Sequence, residues 1–339
     1  MAPQIVLSGI RATGKLHLGN YLGALVRFAE MSRDPKYQCF FFVADMHTLT
    51  TMKEAKLIRE HMPEIILDFL AAGVDPERSA IYIQSSIPQV AELAWYLSCL
   101  TPFGELRKMP TFKDKAEQRP EDVNAGLLNY PVLMAADILG PRADFVPVGK
   151  DQMAHLELAA ELARKFNGMF GKYFPVPNAL SHEMILVPGL SEADAEGNIE
   201  KMGKSNANTV NLADSAEETW RKIRAAPHDP QRIRRNDPGR PERCAIFRLH
   251  EQVSAGDTIA WAKQGCETAG IGCLECKQAL AKAVNGELAE FRERRIELAQ
   301  RPGIVQEVLE EGRRRAEPRF NETIAHVREV MGMWNGGDR

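Results

Sequence analysis

Apolar and polar positions along this 339-residue chain fall into two regimes. Over roughly the first two hundred residues, short apolar runs alternate with longer stretches of helical spacing. Ile5, Val6 and Leu7 form the first run, stopped by Ser8-Gly9, which predicts a buried parallel strand. Gly14 closes the turn after it, and Leu18 to Met31 carries apolar residues at helical spacing. Cys39 to Ala44 reads as a second strand ending in Asp45-Met46-His47-Thr48, and Ala80 to Gln84 as a third. Between them residues 53 to 72 read as helical, with a break or fresh start expected at Pro63. A helix from Pro88 to Leu100 follows Ser85-Ser86, and an apolar helix runs from Gly126 to Leu139. Phe145 to Val148 is a further strand, leading through Gly149-Lys-Asp-Gln152 into a helix reaching Phe166. Strand and helix in alternation predict an α/β fold: a Rossmann-like, doubly wound parallel sheet.

Two stretches interrupt this rhythm. Residues 101–124 turn polar, with Lys108, Lys113, Lys115 and Arg119 among prolines, and read as an insertion beside the sheet. Residues 171–200 are broken by Gly171, Pro175, Pro177, Pro188 and Gly189, and read as a mobile crossing that ends in Lys201-Met202-Gly203-Lys204-Ser205. From Asn211 onward only helical patterns remain, including amphipathic stretches at 278–300 and 303–332. The expected division is a catalytic domain over 1–208 and an all-helical C-terminal region over 209–339.

Composition narrows the class without naming a function. With 44% hydrophobic and 26% charged residues, the chain has the make-up of an ordinary globular protein. No apolar run approaches membrane-spanning length and the N-terminus lacks a signal peptide's pattern, so the expected location is the cytoplasm, with no membrane partner. A net charge of −3 gives no global attraction to nucleic acid, and no DNA partner is expected. One local exception stands out. Residues 221–243 hold eight Arg or Lys against three Asp or Glu, a local +5, and are the best candidate for contact with a phosphate backbone. For any single arginine there, a solvated surface role is the simpler reading.

Of six cysteines, Cys39 and Cys99 sit in apolar settings and read as inert core thiols. Cys244, Cys266, Cys273 and Cys276 have the spacing C-x21-C-x6-C-x2-C, which in a cytoplasmic chain suits metal ligation better than disulfides. Four thiolates serve tetrahedral zinc or a [4Fe–4S] cluster equally well, and a structural role is the simpler expectation.

The turn after the first strand leaves backbone N–H groups facing one spot, which suits an anion. His17-Leu18-Gly19-Asn20 opens the following helix: the histidine can donate to a phosphate, and Gly19 lets a flat base approach the backbone. Lys201 and Lys204 come 184 positions later (201 − 17), bracketing a turn that could neutralise a leaving pyrophosphate. This pair resembles the two signatures of class I aminoacyl-tRNA synthetases, usually written HIGH and KMSKS, with Gly203 replacing the middle serine of the second. Further segments resemble the tryptophanyl-tRNA synthetase family: Ser8 to Gly14, Gly23-Ala24-Leu25, Ala44 to His47, and Tyr130-Pro131 with Met134 to Leu139. Val146 to Gln152 with His155 completes the set, so the likeness covers nearly the whole chain.

The resemblance implies activation of L-tryptophan with Mg-ATP to an adenylate, then transfer to tRNA(Trp), by a homodimer whose helical C-terminal region reads the anticodon. It implies His17, Lys201 and Lys204 as the groups stabilising the transferring phosphates. ATP would lie against Arg11, Ala12, Thr13, Gly19, Asn20, Gly149, Lys150, Asp151, Val187 and the loop Lys201, Met202, Gly203, Lys204, Ser205. Asp137 would accept the indole N–H between Met134, Val146, Val148 and Leu7, while Tyr130, Gln152 and His47 would take the substrate's ammonium and carboxylate. From the residues alone, Asp137 could equally be a helix-end charge meeting Arg142. Gly203 removes a hydroxyl from the loop while its backbone donors are expected to remain. Leu7 stands where related sequences often have phenylalanine. The cysteine set resembles that of family members holding a [4Fe–4S] cluster, which favours that cofactor over Zn2+. Tyrosyl-tRNA synthetase shares fold and motifs but would want a hydroxyl-binding group in the pocket. A small-molecule adenylyltransferase would have no use for the helical region. A non-catalytic RNA-binding paralogue would not need His17, Lys201, Lys204 and Asp137 together.

Overall fold

The computed structural model describes residues 3–110, 112–113, 117, 121, 123–149, 152–180, 185–203 and 208–334. Five parallel strands form one sheet in the order β3-β2-β1-β4-β5. They are β1 (Gln4–Ile10), β2 (Tyr37–Val43), β3 (Ser79–Ile83), β4 (Phe145–Val146) and β5 (Asn178–Ala179). Side chains alternate along the central strands into two separate cores. Val6, Cys39, Phe41 and Val43 face the helices Val26–Arg33 and Ala55–Ala71. Ile5, Leu7, Phe40 and Phe42 face Gln89–Leu100, Ala125–Leu139 and Met153–Phe170. Helices on both faces make the doubly wound arrangement that near-continuous apolar strands require.

Several local expectations are corrected. β1 runs on through Ser8-Gly9 to Ile10, in register with β2 from Gln4↔Tyr37 to Ile10↔Val43. Glycine is needed there because the Phe42 ring lies 2.5–2.8 Å from where a Cβ on Gly9 would stand. The helix Ala55–Ala71 passes unbroken through Pro63. Pro63 is exposed, so water can satisfy the Arg59 carbonyl that loses its partner. β4 covers only Phe145–Val146, and the breaker-rich crossing contains the short β5. The polar insertion begins with a helix at Phe103–Lys108. Asn124 caps the helix Ala125–Leu139, its Oδ1 accepting the Leu127 N–H at 2.9 Å.

Beyond residue 209, helices Ala216–Ala225, Ala245–Val253, Gly256–Glu267 and Cys273–Glu287 pack on one another. The last helix, Ile304–Val330, does not stay with them. It returns to lie along the open edge of β3, with Val308 in one core and Ala316, Phe320, Ile324 and Val327 in the other. Thr323 Oγ1 donates to the Gly140 carbonyl at 2.7 Å, and Arg142 grips Glu322 with two 2.7 Å bonds. Covering β3 removes a pairing edge from solvent. A boundary drawn at 209 therefore does not separate this helix from the sheet. No helix among the described residues is long and apolar enough to cross a membrane.

Candidate active site

The strand order reverses between β1 and β4, and ligands of such sheets bind outside the carboxyl ends of the strands at that point. The loop after β1 is held from below by Thr48. This buried hydroxyl accepts the Ala12 N–H at 2.9 Å and donates to the Ala44 carbonyl at 2.8 Å. Arg11 hydrogen-bonds Thr51 Oγ1, and burial lowers its pKa. The helix after this loop opens at Leu18–Asn20, passes through a π-helical turn at Tyr21–Leu25 and continues as Val26–Arg33. Asn20 Oδ1 accepts the His17 N–H at 3.1 Å, so part of Asn20's polar capacity serves the helix start.

The two signature segments meet. The Leu18 N–H donates to the Val210 carbonyl and the Leu212 N–H to the Leu16 carbonyl, both at 2.9 Å, so His17 is flanked by the stretch leaving the second signature. A Cβ built on Gly19 would stand 3.6 Å from Met202 Cβ. Met202 is itself pinned, its N–H donating to the Val187 carbonyl at 2.9 Å, while Pro188 and Lys201 form an antiparallel bridge. The Gly203 N–H donates to Asn208 Oδ1 at 3.0 Å. The backbone donors at 202 and 203 are thus engaged within the protein. Lys150, Asp151, Lys204 and Ser205 lie outside the described residues.

A second polar group lies beneath the sheet edge. Asp137, 1% exposed, receives a bond from His47 Nε2 at 2.8 Å and two from Gln84 Nε2 at 2.9 Å. Gln84 Oε1 in turn accepts the N–H groups of Met46 and His47 at 3.1 and 3.3 Å. Burial raises the Asp137 pKa, and the bonds from His47 and Gln84 oppose that rise. Asp137 is not a helix-end partner of Arg142, which is taken by Glu322. The rings of His47 and Tyr130 lie 6.1 Å apart. Tyr130 Oη stands 2.6 Å from His155 Nε2, and His155 Nδ1 stands 3.0 Å from Gln152 Oε1. Gln152, His155 and Tyr130 thus form one continuous run of polar contacts, with the imidazole between the amide and the hydroxyl. Leu7, Val146, Met134 and Val148 belong to the apolar cluster on the same face of the sheet.

The basic segment is less available than its sequence charge suggests. Arg221 pairs with Glu218, Lys222 with Asp214, Arg235 with Glu275 and Arg240 with Asp229. Arg232 is buried, and Arg243 donates to the Asp194 and Ala195 carbonyls, both at 2.9 Å. Of the eight basic residues, Arg224 and Arg234 are left with no side-chain partner among the described residues.

Cys244, Cys266, Cys273 and Cys276 line one largely apolar pocket with Phe247, Ala262 and Lys277. None is in a disulfide. Burial pushes the Cys276 thiol up to about 12, reinforced by the other three cysteines. The donor set fits a thiolate-bound group. Among the described residues, however, no three His, Cys, Asp or Glu side chains are arranged to hold a metal ion.

The family model described as tRNA synthetases class I (W and Y) matches residues 1–289. A tryptophan–tRNA ligase of Deinococcus radiodurans is 39% identical, over 96% of this chain and 98% of its own. One from Thermotoga maritima is also 39% identical, over 97% of this chain and 99% of its own. The chain belongs to the tryptophanyl-tRNA synthetase family. The solved tryptophanyl-tRNA synthetase of Campylobacter jejuni, complexed with ADP and tryptophan, superposes with a TM-score of 0.84 at 32% identity. That match covers 97% of this chain and 100% of that one. As a tryptophanyl-tRNA synthetase family member the chain is an aminoacyl-tRNA synthetase, and its Rossmann-like sheet is the class I catalytic fold.

Among members of that family, the residues sequence reasoning would single out are those of the signatures. In this structure Thr48 holds Ala12, Gln84 holds Asp137 and Asn208 holds Gly203, yet none of the three holders lies in a signature. Their partners are 36, 53 and 5 positions away, and nothing in the local pattern marks them.

Proposed function

We propose that this enzyme joins L-tryptophan to the 3′ end of tRNA(Trp) in two steps at the carboxyl edge of its sheet. The observation that carries the reading is Asp137, a buried carboxylate held by His47 and Gln84 on the face where Leu7, Met134, Val146 and Val148 cluster. An ionised carboxylate has about four lone-pair sites. Three bonds reach it from His47 and Gln84, which leaves capacity for an indole N–H. A purely apolar competitor would leave that capacity buried and unmet, so it is rejected strongly.

In the first step, a tryptophan carboxylate oxygen attacks the α-phosphorus of Mg-ATP, and the bond to the bridging oxygen breaks to release pyrophosphate. Such a reaction needs alignment and charge stabilisation and no protein nucleophile. The loop of Arg11, Ala12 and Thr13, with Gly19, Asn20, Gly149, Lys150, Asp151 and Val187, holds the nucleotide. His17, Lys201 and Lys204 stabilise charge on the phosphates as the bond breaks. Loss of one such contact costs roughly 2.7–4 kcal/mol of transition-state stabilisation. Tyr130, Gln152 and His47 orient the ammonium and carboxylate, with His155 fixing Tyr130. In the second step, a terminal ribose hydroxyl of the tRNA attacks the acyl carbon and AMP departs. The ADP and tryptophan bound by the Campylobacter jejuni relative support this choice of ligands.

The four cysteines are the ligands proposed for a [4Fe–4S] cluster. Four thiols around one pocket, together with the likeness of their spacing to that of cluster-holding family members, support this choice. The cluster would supply a structural tie among the helices at 244–276. A homodimer in the cytoplasm completes the proposal, supported by the large exposed side chains Trp95 and Phe103.

Tryptophan-dependent pyrophosphate–ATP exchange, run without tRNA across all twenty amino acids, tests the reading. Exchange with tryptophan alone is expected. Exchange with tyrosine would overturn the Asp137 pocket, and no exchange from folded protein would overturn adenylate formation altogether.

A further inference from the structure

Asn208 lies outside the Lys-Met-Gly-Lys-Ser signature, yet it touches that signature's backbone on two sides. Its Oδ1 accepts the Gly203 N–H at 3.0 Å and its Nδ2 donates to the Lys201 carbonyl at 3.3 Å. Its own carbonyl accepts the Leu190 N–H at 2.9 Å, so the residue is anchored to the chain that pairs with Lys201. The side chain is 4% exposed. Space for it exists only because residue 189 is glycine: a Cβ there would stand 2.0 Å from Asn208 Nδ2. The amide therefore sits in a fitted slot with both of its polar ends used. Serving one donor and one acceptor of a neighbouring backbone is something an amide does and a carboxylate cannot match.

We propose that Asn208 is the positioning residue of the signature loop. It fixes the backbone that carries Lys201 and leads into Lys204, and so sets where that cationic turn stands when pyrophosphate leaves. Gly203 sharpens the requirement. With no side chain to brace position 203, the Asn208 bond is, among the described residues, a direct hold on its peptide. The inference rests on the proposed tryptophan activation, because the lysines matter only if a polyphosphate reacts beside them. Misplacing a charge-stabilising group by about 1 Å can cost on the order of 100-fold in rate.

The test compares wild type with Asn208→Ala, Asn208→Asp, Gly189→Ala and the double variant Gly189→Ala/Asn208→Ala. Asn208→Ala is expected to lower kcat of tryptophan-dependent pyrophosphate exchange at least about ten-fold, with the calorimetric Kd for tryptophan alone unchanged within two-fold. Asn208→Asp keeps the acceptor for Gly203 but turns an oxygen on the Lys201 carbonyl, so it should not rescue. Gly189→Ala displaces the same amide from the other side. The double variant is therefore expected to be no worse than Asn208→Ala. Amide exchange at Gly203, read by mass spectrometry, should accelerate in Asn208→Ala, Gly189→Ala and the double variant, and stay near the wild-type rate in Asn208→Asp, which keeps the acceptor. Full activity in Asn208→Ala, multiplying rather than merging effects, or tryptophan affinity falling in step with kcat would each overturn the proposal. If wild type itself forms no adenylate, the functional reading fails, and unchanged exchange at Gly203 in Asn208→Ala would overturn the grip independently.

Discussion

His47 Nε2 lies 2.8 Å from Asp137 Oδ2, ninety positions away in sequence, and this buried pair joins the end of β2 to the helix Ala125–Leu139. The Asp137 carboxylate accepts only, and each of its two neighbours presents N–H to it. Asp137→Asn would set an amide N–H against Gln84 Nε2 or His47 Nε2. Gln84 cannot turn to relieve this, because its Oε1 already serves the N–H groups of Met46 and His47. The expected outcome is a fall of about 100-fold in kcat/KM for tryptophan, roughly 3 kcal/mol, with KM for ATP little changed. Steady-state pyrophosphate exchange at varied tryptophan checks it.

Burial sets the direction of the pH dependence at the same residue. The Asp137 pKa stands above the ordinary carboxylate value of about 3.9, because desolvation outweighs the bonds from His47 and Gln84. Binding of the indole N–H uses the ionised form, so kcat/KM for tryptophan is lost as pH falls through that raised value. Stability runs the opposite way: with the folded pKa raised, the contribution of this group is fully present below the unfolded pKa and lost as pH rises through the folded one. Wild-type kcat/KM should therefore show an acid limb above pH 4, absent from the already weakened Asp137→Asn. A limb of the same midpoint in both proteins would assign it to another group.

How much of this could be read in advance differs from feature to feature. β1, β2 and β3 were legible because strands buried on both faces are apolar at every position, and Phe40, Phe41 and Phe42 leave little else possible. β5 was not, since two residues at Asn178–Ala179 carry no periodicity and prolines surround them. Pro63 misled because a proline's cost depends on whether the orphaned carbonyl meets solvent, a property of the packed helix. The +5 segment shows the same dependence on folding: Arg221, Lys222, Arg235 and Arg240 meet Glu218, Asp214, Glu275 and Asp229, pairings that a count of charges does not announce. The signature residues were legible as chemistry. The residues that hold them, Thr48, Gln84 and Asn208, were not, because hydrogen bonding to a particular backbone atom leaves no pattern in the chain.

The proposed cluster at the four cysteines can be tested apart from the first reaction step. The pocket of Cys244, Cys266, Cys273 and Cys276 lies among the helices beyond residue 240, and none of the residues lining it belongs to the His47–Gln84–Asp137 group. Cys276→Ser, or anaerobic chelation, is expected to abolish iron content and cluster absorbance and to lower the melting temperature. Pyrophosphate exchange should stay within about three-fold of wild type while tRNA charging falls at least ten-fold, since loss of a metal tie typically loosens the local domain. Equal loss of exchange and charging would place the cysteines in the first step as well.

A buried ion pair ties the helical region back to the sheet. Arg295, on the helix Ala289–Ala299, donates from Nε to Asp68 Oδ1 at 2.7 Å and also pairs with Glu64, both on the helix Ala55–Ala71. The Asp68 side chain is 5% exposed, so removing Arg295 takes a guanidinium at 2.7 Å away from a buried carboxylate. Arg295→Ala should destabilise the protein by about 2–4 kcal/mol, while Arg295→Lys recovers part of that by restoring the charge without the two-pronged geometry. Urea denaturation at neutral pH measures both. A loss under about 1 kcal/mol in Arg295→Ala would mean that water reaches Asp68 when the guanidinium is gone.

The last prediction concerns acid stability near the cysteine pocket. Asp229 accepts from Arg240 at Nη2 (2.6 Å), Nε (3.1 Å) and the backbone N–H (2.9 Å), and from the Gln231 N–H at 3.1 Å. The Arg240 guanidinium, more than any other partner, draws the Asp229 pKa down to about 2. A depressed folded pKa stabilises above the unfolded value and is lost as pH falls through the folded one. Asp229→Asn should therefore cost about 1–3 kcal/mol at pH 7, since one charge-assisted acceptor is replaced by a donor facing donors. The gap between wild type and variant should close as pH falls from about 4 to 2, where wild type protonates too. Paired urea titrations across that range read the gap directly. A gap that stays constant with pH would show that Asp229 acts here by shape and hydrogen bonding rather than by its charge.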